Sequence, residues 1–368
     1  MFLTDKNIGG AGRQLLNYLE NADRGKFDIT AVLPLESQLG DSVRRLGYRV
    51  VYLHGIDRSF SLSGFFYCLR LIFHEKPDIV HTNACLSARL ASLLLAVPVR
   101  VYTRHCVFPV SGVYSLRPVR AAVGAISGVL SGAVIAVADE AGKNLISMGV
   151  PARRIHVIPN GVRAVTVTEE QRRSISGRYE LNGALTAVIC GRLEKDKGVE
   201  YLIKAVAECA GAGTDVKALI VGTGSQYGAL QELSSELEVT DRVFFCGFVK
   251  DVSPYLSAAD LYVNCSVGTE ATSLAIAEAM SAGLPVIASD YGGNPGMVEN
   301  GRNGIITPQR DVKALAQALT SLCDPEKRKI MGEKSLEIYR ERFCAEKMAR
   351  NSEKLYMELI TRKGIMLS

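Results

Sequence analysis

The feature that most limits the fold of this chain is a repeated alternation of short β-branched stretches with helical stretches. In the first half, segments rich in Val, Ile, Thr and Tyr recur, among them "DITAVLP" (28–34), "DIVHTN" (78–83) and "VRVYTRH" (99–105). Between them, apolar residues return with helical spacing, as in "AGRQLLNYLENAD". Strands that alternate with helices in this way favour parallel sheets that are covered by helices.

A second alternation of the same kind begins at "TAVICGRL" (186–193), after a charged stretch at 168–181. At roughly 150 residues per domain, a chain of 368 residues also suggests two domains. We therefore predict an α/β protein with two Rossmann-like, doubly wound domains that face each other across a cleft. The predicted parts are an N-terminal domain (1–165), a C-terminal domain (166–345) and a C-terminal helix (346–368) that packs back on the first domain.

Cysteine usage and hydropathy predict a cytoplasmic protein. The nine cysteines are scattered without a C-x-x-C, which favours a reducing compartment and neither disulfides nor structural zinc. "MFLTDKNIGG" reaches charged residues before any long apolar stretch, so we expect no signal peptide. The eighteen uncharged residues 121–138 are rich in Gly, Ala and Ser, and they favour a small-residue helix followed by a strand over a membrane span.

Positive charge is concentrated in the first half. Residues 1–160 carry 18 Lys and Arg against 11 Asp and Glu, whereas the rest carries 25 against 27. A basic first half suits an anionic phospholipid surface or lipid phosphate, and ordinary surface variation is the alternative. We name a peripheral contact with the inner face of the cell membrane as a hypothesis, and we expect no nucleic acid partner. The candidate contact residues are Arg89, Arg100, Arg117 and Arg120.

Glycine-marked turns and cations follow several predicted strands. "NIGGAG" (7–12) opens the first helix and could bind a phosphate there, although it lacks dinucleotide and P-loop spacing. A tight turn without a ligand is the alternative. In "CGRLEKDKGVEYLIKA" (190–205), Arg192 and Lys197 could straddle a diphosphate, with a solvated charged loop as the alternative. His105 ends a predicted strand, where it is either structural or part of a site.

The stretch "GTEATSLAIAEAMSAGLPVIASDYGG" (268–293) places two glutamates, Glu270 and Glu278, eight positions apart around a helix start. Thr272 or Ser273 suits the N-cap, which leaves nearby N–H groups available to an anion. Glu278 stands on a helix that otherwise looks core-facing, and a buried carboxylate is costly without a partner. Ribose hydroxyls could bind it, and an ion pair is the alternative. The chain has no D-x-D and no metal-like spacing, so we expect no metal and no cofactor.

These segments together resemble the retaining family-4 glycosyltransferases of GT-B fold over nearly the whole chain. The resemblance rests on "GGAGRQLLNYL", "TRH", "IPNGV", "GRLEKDKG", "VGTGS", the E-x7-E at 270–278, "GLPVIASDYGG" and "NGRNGIITP", which occur in the family's order. It implies a nucleotide-sugar donor, a carbohydrate or lipid-linked acceptor, and transfer with retention at the anomeric carbon. In such enzymes the leaving phosphate oxygen is thought to take the acceptor proton.

The resemblance also implies a role for each matching residue. Arg192 and Lys197 would grip the donor diphosphate, shared by N–H groups near Ser273 and Leu274, while Glu278 would hold the ribose. Glu270 would meet the donor sugar at the reacting carbon. The remaining implied contacts are Gly10 at the phosphates, His105 at the sugar, and Gly222, Phe248 and Val249 at the base.

Three positions depart from the family pattern. "EATS" replaces the common E-G-F-G, so that Ala271 and Thr272 leave the identity of the donor sugar open. Gly296 and Arg163 stand where Glu and Asp are frequent. We predict a metal-independent, retaining hexosyltransferase that uses a UDP-sugar in bacterial surface polysaccharide or glycolipid synthesis. The alternatives are a nucleotide-sugar 2-epimerase of the same fold and a non-catalytic sugar-nucleotide-binding protein.

Overall fold

The computed structural model describes residues 1–105, 107, 116–268 and 272–364. Contacts divide the chain into two compact units. The first unit comprises residues 1–162 and 345–368, and the second comprises residues 163–344. Each unit contains one parallel β-sheet with helices packed on it.

The first unit contains a seven-stranded parallel sheet with the strand order β3-β2-β1-β4-β5-β6-β7. Its strands are β1 (Phe2–Leu3), β2 (Thr30–Pro34), β3 (Arg49–Leu53), β4 (Ile79–Asn83), β5 (Val99–Arg104), β6 (Ala133–Ala136) and β7 (Ile155–Val157). Its helices are α1 (Gly10–Asn21), α2 (Gly40–Arg45), α3 (Leu62–Glu75), α4 (Leu86–Leu94), α5 (Arg117–Leu130), α6 (Asp139–Ser147) and α15 (Ala345–Arg362).

Two separate cores cover the two faces of this sheet, because successive strand residues point to opposite sides. On one face, Leu3 and Leu33 pack with helices α1 and α15, whose Tyr18 and Tyr356 are both buried. On the other face, Phe2 and neighbouring strand residues pack against α3 and α4. The C-terminal helix α15 is therefore part of the first unit's core.

The second unit contains a six-stranded parallel sheet with the order β10-β9-β8-β11-β12-β13. Its strands are β8 (Leu185–Cys190), β9 (Val216–Val221), β10 (Val243–Gly247), β11 (Leu261–Asn264), β12 (Val286–Ser289) and β13 (Gly304–Thr307). Its helices are α7 (Glu169–Arg178), α8 (Val199–Gly211), α9 (Tyr227–Glu236), α10 (Ser253–Ala258), α11 (Leu274–Ser281), α12 (Asn294–Met297), α13 (Val312–Ser321) and α14 (Pro325–Ile338).

The α/β class with two doubly wound parallel sheets is confirmed. Every stretch predicted as a strand contains one, and the small-residue stretch 121–138 forms the end of α5 followed by β6. Among the helices that the structure describes, none combines the length and the apolar character needed to cross a membrane. The cysteines within the described ranges are free thiols.

Candidate functional site

The strand order of the second unit creates a crevice between β8 and β11. The chain leaves β8 toward β9 on one side, whereas β11 continues toward β12 on the other. Open parallel sheets bind ligands at the carboxyl ends of the strands where the order reverses in this way. The loop after β8 carries Arg192 and Lys197, and the loop after β11 leads to Ser273 at the start of α11.

These two loops are in direct backbone contact. The N–H of Val267 donates to the carbonyl of Asp196 over 2.8 Å. Gly198 has a left-handed φ of 62°, and a Cβ there would lie 2.3 Å from the carbonyl oxygen of Cys265. The turn that carries Lys197 therefore lies directly against the segment that enters α11. Only glycine allows an approach this close.

Helix α11 begins at Ser273, whose side chain accepts a hydrogen bond from the N–H of Ile276 over 3.4 Å. The N-cap is therefore Ser273 rather than Thr272, although both are buried. The first N–H groups of a helix lack partners within it and carry a partial positive charge, so this end favours an anion. Leu274 provides the first of these groups.

A buried polar network supports the start of α11, and the sequence analysis missed it. Asn264, at the end of β11, donates to Ser273 Oγ over 3.3 Å and accepts from the N–H of Ser266 over 3.0 Å. Asn294 is fully buried and donates to Ser289 Oγ over 3.2 Å, while Ser289 Oγ donates to the carbonyl of Ser266 over 2.6 Å. Asn264 and Ser289 are polar residues that end buried strands, which is a signal visible in the sequence, whereas Asn294 lies in α12 and gives no such signal.

Arg192 follows β8 and is exposed. Two residues later, Glu194 accepts hydrogen bonds from the N–H and the Oγ of Ser225, over 3.1 and 2.6 Å. These bonds, with the nearby charge of Arg192, hold the pKa of Glu194 below its ordinary value. The loop that carries both cations is thereby fastened to the segment that follows β9, and the Lys197 ammonium lies 3.8 Å from Asp196 Oδ2.

The ends of β8, β9 and β10 meet at glycines. A Cβ on Gly222 would lie 1.8 Å from the carbonyl oxygen of Gly191, and the N–H of Gly222 donates to the carbonyl of Gly247 over 2.8 Å. Phe248 comes next and is 71% exposed, beside a half-buried Val249. An exposed aromatic ring at the edge of a site is suited to stacking on a nucleotide base.

Of the two glutamates Glu270 and Glu278, the structure describes Glu278. Glu278 is half-buried on α11, five residues after the N-cap, as the sequence predicts for its position on the second turn. Glu270 lies outside the described residues, together with Ala271. The approach to α11 up to Gly268 and the helix from its cap onward are described.

In the first unit, the strand order reverses between β1 and β4. Gly10 lies at the start of α1, after β1, and His105 follows β5, the neighbour of β4. A Cβ on Gly10 would touch nothing within 4 Å, so the start of α1 is open. His105 Nε2 lies 2.7 Å from Asn83 Oδ1. Since the amide nitrogen of Asn83 donates to the carbonyl of Phe2 over 3.3 Å, its Oδ1 is the acceptor and Nε2 of His105 carries the proton.

Burial lowers the pKa of His105 to about 4, so its ring is neutral at pH 7. Its Nδ1 is buried and has no hydrogen-bond partner among the described residues. A neutral imidazole that donates through Nε2 keeps a lone pair on Nδ1. This atom can therefore accept a hydrogen bond from a hydroxyl group.

The arrangement in the second unit has the properties of a nucleotide site. Two cations, a helix N-terminus and an exposed aromatic ring follow neighbouring strands. No group of three or more potential metal-ligating side chains occurs in the part of the chain that the structure describes. Each of the described residues predicted for this site lies in a segment that follows a strand or on α11.

Comparison with protein families gives two matches along the chain. Residues 8–165 match the family described as Glycosyltransferase Family 4, and residues 184–324 match the one described as Glycosyl transferases group 1. The chain belongs to the GT4-like glycosyltransferases. The resemblance inferred from the sequence is thereby confirmed.

Curated relatives match this glycosyltransferase chain to different extents. A UDP-Gal:alpha-D-GlcNAc-diphosphoundecaprenol alpha-1,3-galactosyltransferase from Escherichia coli is 26% identical over 97% of this chain and 95% of its own length. The N-acetyl-alpha-D-glucosaminyl L-malate synthase of Bacillus anthracis is 32% identical over 45% of this chain. The chain spans only 22–49% of the length of the three relatives that match at 31–32% identity.

Solved structures share the fold. HepE from Anabaena in complex with UDP superposes with a TM-score of 0.85 at 22% identity, over 97% of this chain and 98% of HepE. A glycosyltransferase from Rickettsia africae gives a TM-score of 0.83 at 19% identity, over 96% and 95% of the two chains. At this level of identity the likeness establishes the fold, and it confirms the predicted GT-B class.

Proposed function

We propose that this protein transfers a sugar from a nucleotide-diphosphate donor to an acceptor hydroxyl during synthesis of a surface polysaccharide or glycolipid. We further propose that the donor is a UDP-sugar and that the anomeric configuration is retained. The observation that carries the proposal is the contact between the Lys197 turn and the segment that enters α11. It brings cations and a helix N-terminus to one crevice.

The proposed mechanism is electrostatic. As the bond between the sugar and the phosphate breaks, negative charge grows on the leaving diphosphate. Arg192, Lys197 and the N–H groups at Ser273 and Leu274 would stabilise this charge, and fixed donors of this kind need no reorganisation during the reaction. We propose that these groups act without a divalent cation and without a cofactor.

The other predicted residues have proposed roles around this centre. Phe248 and Val249, next to Gly222, would border the base, and Glu278 would bind the ribose. Glu270, which lies outside the described residues, is proposed to meet the donor sugar. In the first unit, we propose that Gly10 admits the phosphates and that Nδ1 of His105 accepts a hydrogen bond from a sugar hydroxyl.

The relatives support a UDP-sugar and a lipid-linked acceptor. The name of the E. coli relative specifies UDP-Gal and a diphosphoundecaprenol-linked sugar, and HepE has been solved with UDP-glucose as well as with UDP. We therefore propose a carbohydrate acceptor that is linked to a lipid, with the enzyme acting in the cytoplasm at the membrane surface. Peripheral contact through the first unit follows from this proposal.

Substitution of the two cations tests the donor site. Arg192→Ala and Lys197→Ala are each expected to lower kcat/KM at least about tenfold, since removing one transition-state donor typically has an effect of this size or larger. Lys195→Ala is the matched control, because Lys195 is an exposed cation in the same loop. Unchanged transfer in both variants, or an equal loss in the control, would overturn the assignment.

Donor identity and chemistry need separate measurements. Donor identity is tested by a thermal-shift screen with UDP-, GDP- and ADP-sugars. The UDP-sugar should raise the melting temperature of the protein most, since ligand binding stabilises the folded state. The anomeric configuration of the product, read by NMR, tests retention. Transfer that stops in EDTA and returns with magnesium would contradict metal independence. A new sugar epimer formed from the donor alone would instead support the epimerase alternative.

A further inference from the structure

Large apolar side chains on the outside of the first unit are concentrated on helix α3. Leu62, Phe66 and Phe73 are 65%, 58% and 60% exposed, and their spacing of four and seven residues places them on one side of the helix. The opposite side is buried in the core through Cys68 and Ile72. Helix α3 is therefore apolar both toward the sheet and toward the outside.

The apolar surface continues onto the neighbouring helices. Helix α3 packs beside α4, and α4 packs beside α5. We call this surface the α3–α5 face. Its exposed apolar residues are Phe60, Leu62, Phe66, Tyr67, Phe73, Leu94, Ile126 and Val129. Soluble monomers rarely expose a large contiguous apolar patch, and such a patch marks an interaction site.

The charges along α3 are mainly positive. Between Arg58 and Lys76 the sole acidic residue is Glu75, and both of its carboxylate oxygens accept hydrogen bonds from Arg49 over 2.8 Å. Arg70 lies four residues after Phe66, on the same outward side of α3 as the exposed apolar residues. Arg58, Arg70 and Lys76 form no ion pair with any residue that the structure describes. The α3–α5 face therefore has cations available for an anionic partner.

A cavity of about 320 Å³ opens at the end of α3. Its lining includes Phe73, Leu95 and Pro98, with Lys76 as its charged member. The cavity is apolar and has one ammonium group beside it. A lipid has the complementary arrangement, an apolar chain next to an anionic phosphate. This chemistry favours lipid over a peptide partner.

A second copy of this chain fits the face less well. Symmetric dimers use the same surface of both subunits, so the α3–α5 face would meet itself. Arg58, Arg70 and Lys76 would then lie opposite a surface that carries the same cations and, along α3, only Glu75, which is paired with Arg49. Like charges that meet across an interface are unfavourable.

Two of the four arginines named from the sequence, Arg89 and Arg100, are not placed as well for this contact. Arg89 donates through Nε to Ser131 Oγ over 3.2 Å and stacks over the ring of Tyr102 at 4.3 Å. Arg100 donates to the carbonyl of Val97 over 2.9 Å. Both side chains are engaged in internal packing, and burial lowers the pKa of each.

We propose that the α3–α5 face docks on an anionic phospholipid bilayer. The aromatic side chains of α3 enter the headgroup region, and Arg58, Arg70 and Lys76 bind lipid phosphates. Helices with apolar and cationic side chains bind membrane surfaces in this manner. The proposal deepens the proposed function, on which it rests for the membrane-borne acceptor.

Flotation of the full chain with vesicles tests the docking. Two vesicle compositions are compared at low salt: phosphatidylcholine alone, and phosphatidylcholine with 30% phosphatidylglycerol. The chain should float with the anionic vesicles and should be released as salt screens the contact. Arg70→Gln should weaken partitioning about fivefold, the usual contribution of one cation near an anionic surface, and Phe66→Ser should weaken it further. The double variant Lys329→Gln/Ile330→Ser is the matched control, since both residues are exposed on α14 in the second unit.

The outcomes distinguish this proposal from the proposed function. Donor binding is measured in the same samples by the melting-temperature shift with UDP, which the α3 variants should leave unchanged. Absence of flotation with UDP binding intact would overturn the docking alone. Equal partitioning into both vesicle types, or an equal loss in the control, would also overturn it. Light scattering that shows a dimer lost with Phe66→Ser would assign the face to self-association instead.

Discussion

Replacement of Gly198 by alanine tests whether backbone contact between two loops builds the donor site. Gly198 follows Lys197 and has a φ of 62°, where a side chain is strained. The added Cβ would lie 2.3 Å from the carbonyl oxygen of Cys265 and 3.0 Å from the ring of Tyr201. The Tyr201 ring can rotate away, but the carbonyl belongs to the backbone next to β11. The two loops must therefore separate.

Two contributions set the loss in the free energy of unfolding that we expect for Gly198→Ala. The left-handed conformation costs a non-glycine residue about 1–2 kcal/mol. Forcing an extra carbon into a close-packed place costs about 1–3 kcal/mol more. Gly301→Ala isolates the first contribution, because Gly301 has a φ of 79° and a Cβ there would touch nothing within 4 Å. The free energy of unfolding should therefore fall by ~2–5 kcal/mol for Gly198→Ala and by ~1–2 kcal/mol for Gly301→Ala.

Urea denaturation followed by circular dichroism measures the stability of both variants, and calorimetric titration with UDP measures binding. Gly198→Ala should also raise the Kd for UDP, because separating the loops moves Lys197 away from the start of α11. Gly301→Ala should leave the Kd unchanged. Equal losses of stability in the two variants would refute the packing argument. A destabilised Gly198→Ala variant with the original Kd would refute the link to the donor site.

Two further predictions concern the base contact and pH. Phe248→Ala should raise the Kd for UDP by roughly 5- to 150-fold, the range expected for one lost stacking contact of ~1–3 kcal/mol, with no change in melting temperature because the ring is 71% exposed; an unchanged Kd would place the base elsewhere. Burial lowers the pKa of His81 to about 3 and that of His105 to about 4, so below the ordinary value of 6.5 the unfolded chain binds more protons than the folded one. The free energy of unfolding should then fall as the pH is lowered from 6.5 to 4.5, by at most ~1.4 kcal/mol per pH unit for each group, and His81→Gln should reduce this slope in urea titrations; a flat profile would contradict the burial argument.

The sequence identifies the strands well because most are apolar runs rich in β-branched residues between turn signals. It is less informative for α3, which has the apolar residues Phe66 and Phe73 on its outer side as well as Cys68 and Ile72 on its core side. A helix is recognised from the sequence mainly through one apolar face. The outward apolar residues of α3 conceal that pattern, so its surface appears only in the folded chain.

The charged stretch at 168–181 is a second case in which the pattern is uninformative. It forms α7, whose N-cap Thr168 accepts a hydrogen bond from the N–H of Gln171 over 3.2 Å. Helix α7 packs on α10 through a face that includes the buried Ile175. One buried apolar residue among charges gives too little periodicity to predict such a helix.

At the donor site, the sequence indicates the residues that follow strands but not the contacts that hold them. Arg192, Lys197 and Ser273 could be named because strand ends and helix starts are visible in the sequence. The network through Asn264 and Asn294 could not, because it joins residues 30 positions apart whose approach depends on the register of β11 and β12. Pairing between strands is a property of the folded sheet.

Several of the closest contacts at the proposed donor site are made by backbone atoms. Gly222 against Gly191 and Gly198 against Cys265 leave no room for a side chain, so these loops approach each other through main-chain atoms. A diphosphate and a nucleotide are common to many donors, and a site fixed by the backbone can hold them whatever sugar is attached. The residues that would distinguish donor sugars, Glu270 to Thr272, belong to the segment where this chain departs from the family pattern. It follows that substitutions in this segment should change sugar preference, whereas substitutions at the close-packed glycines should weaken binding of every donor that carries the same nucleotide.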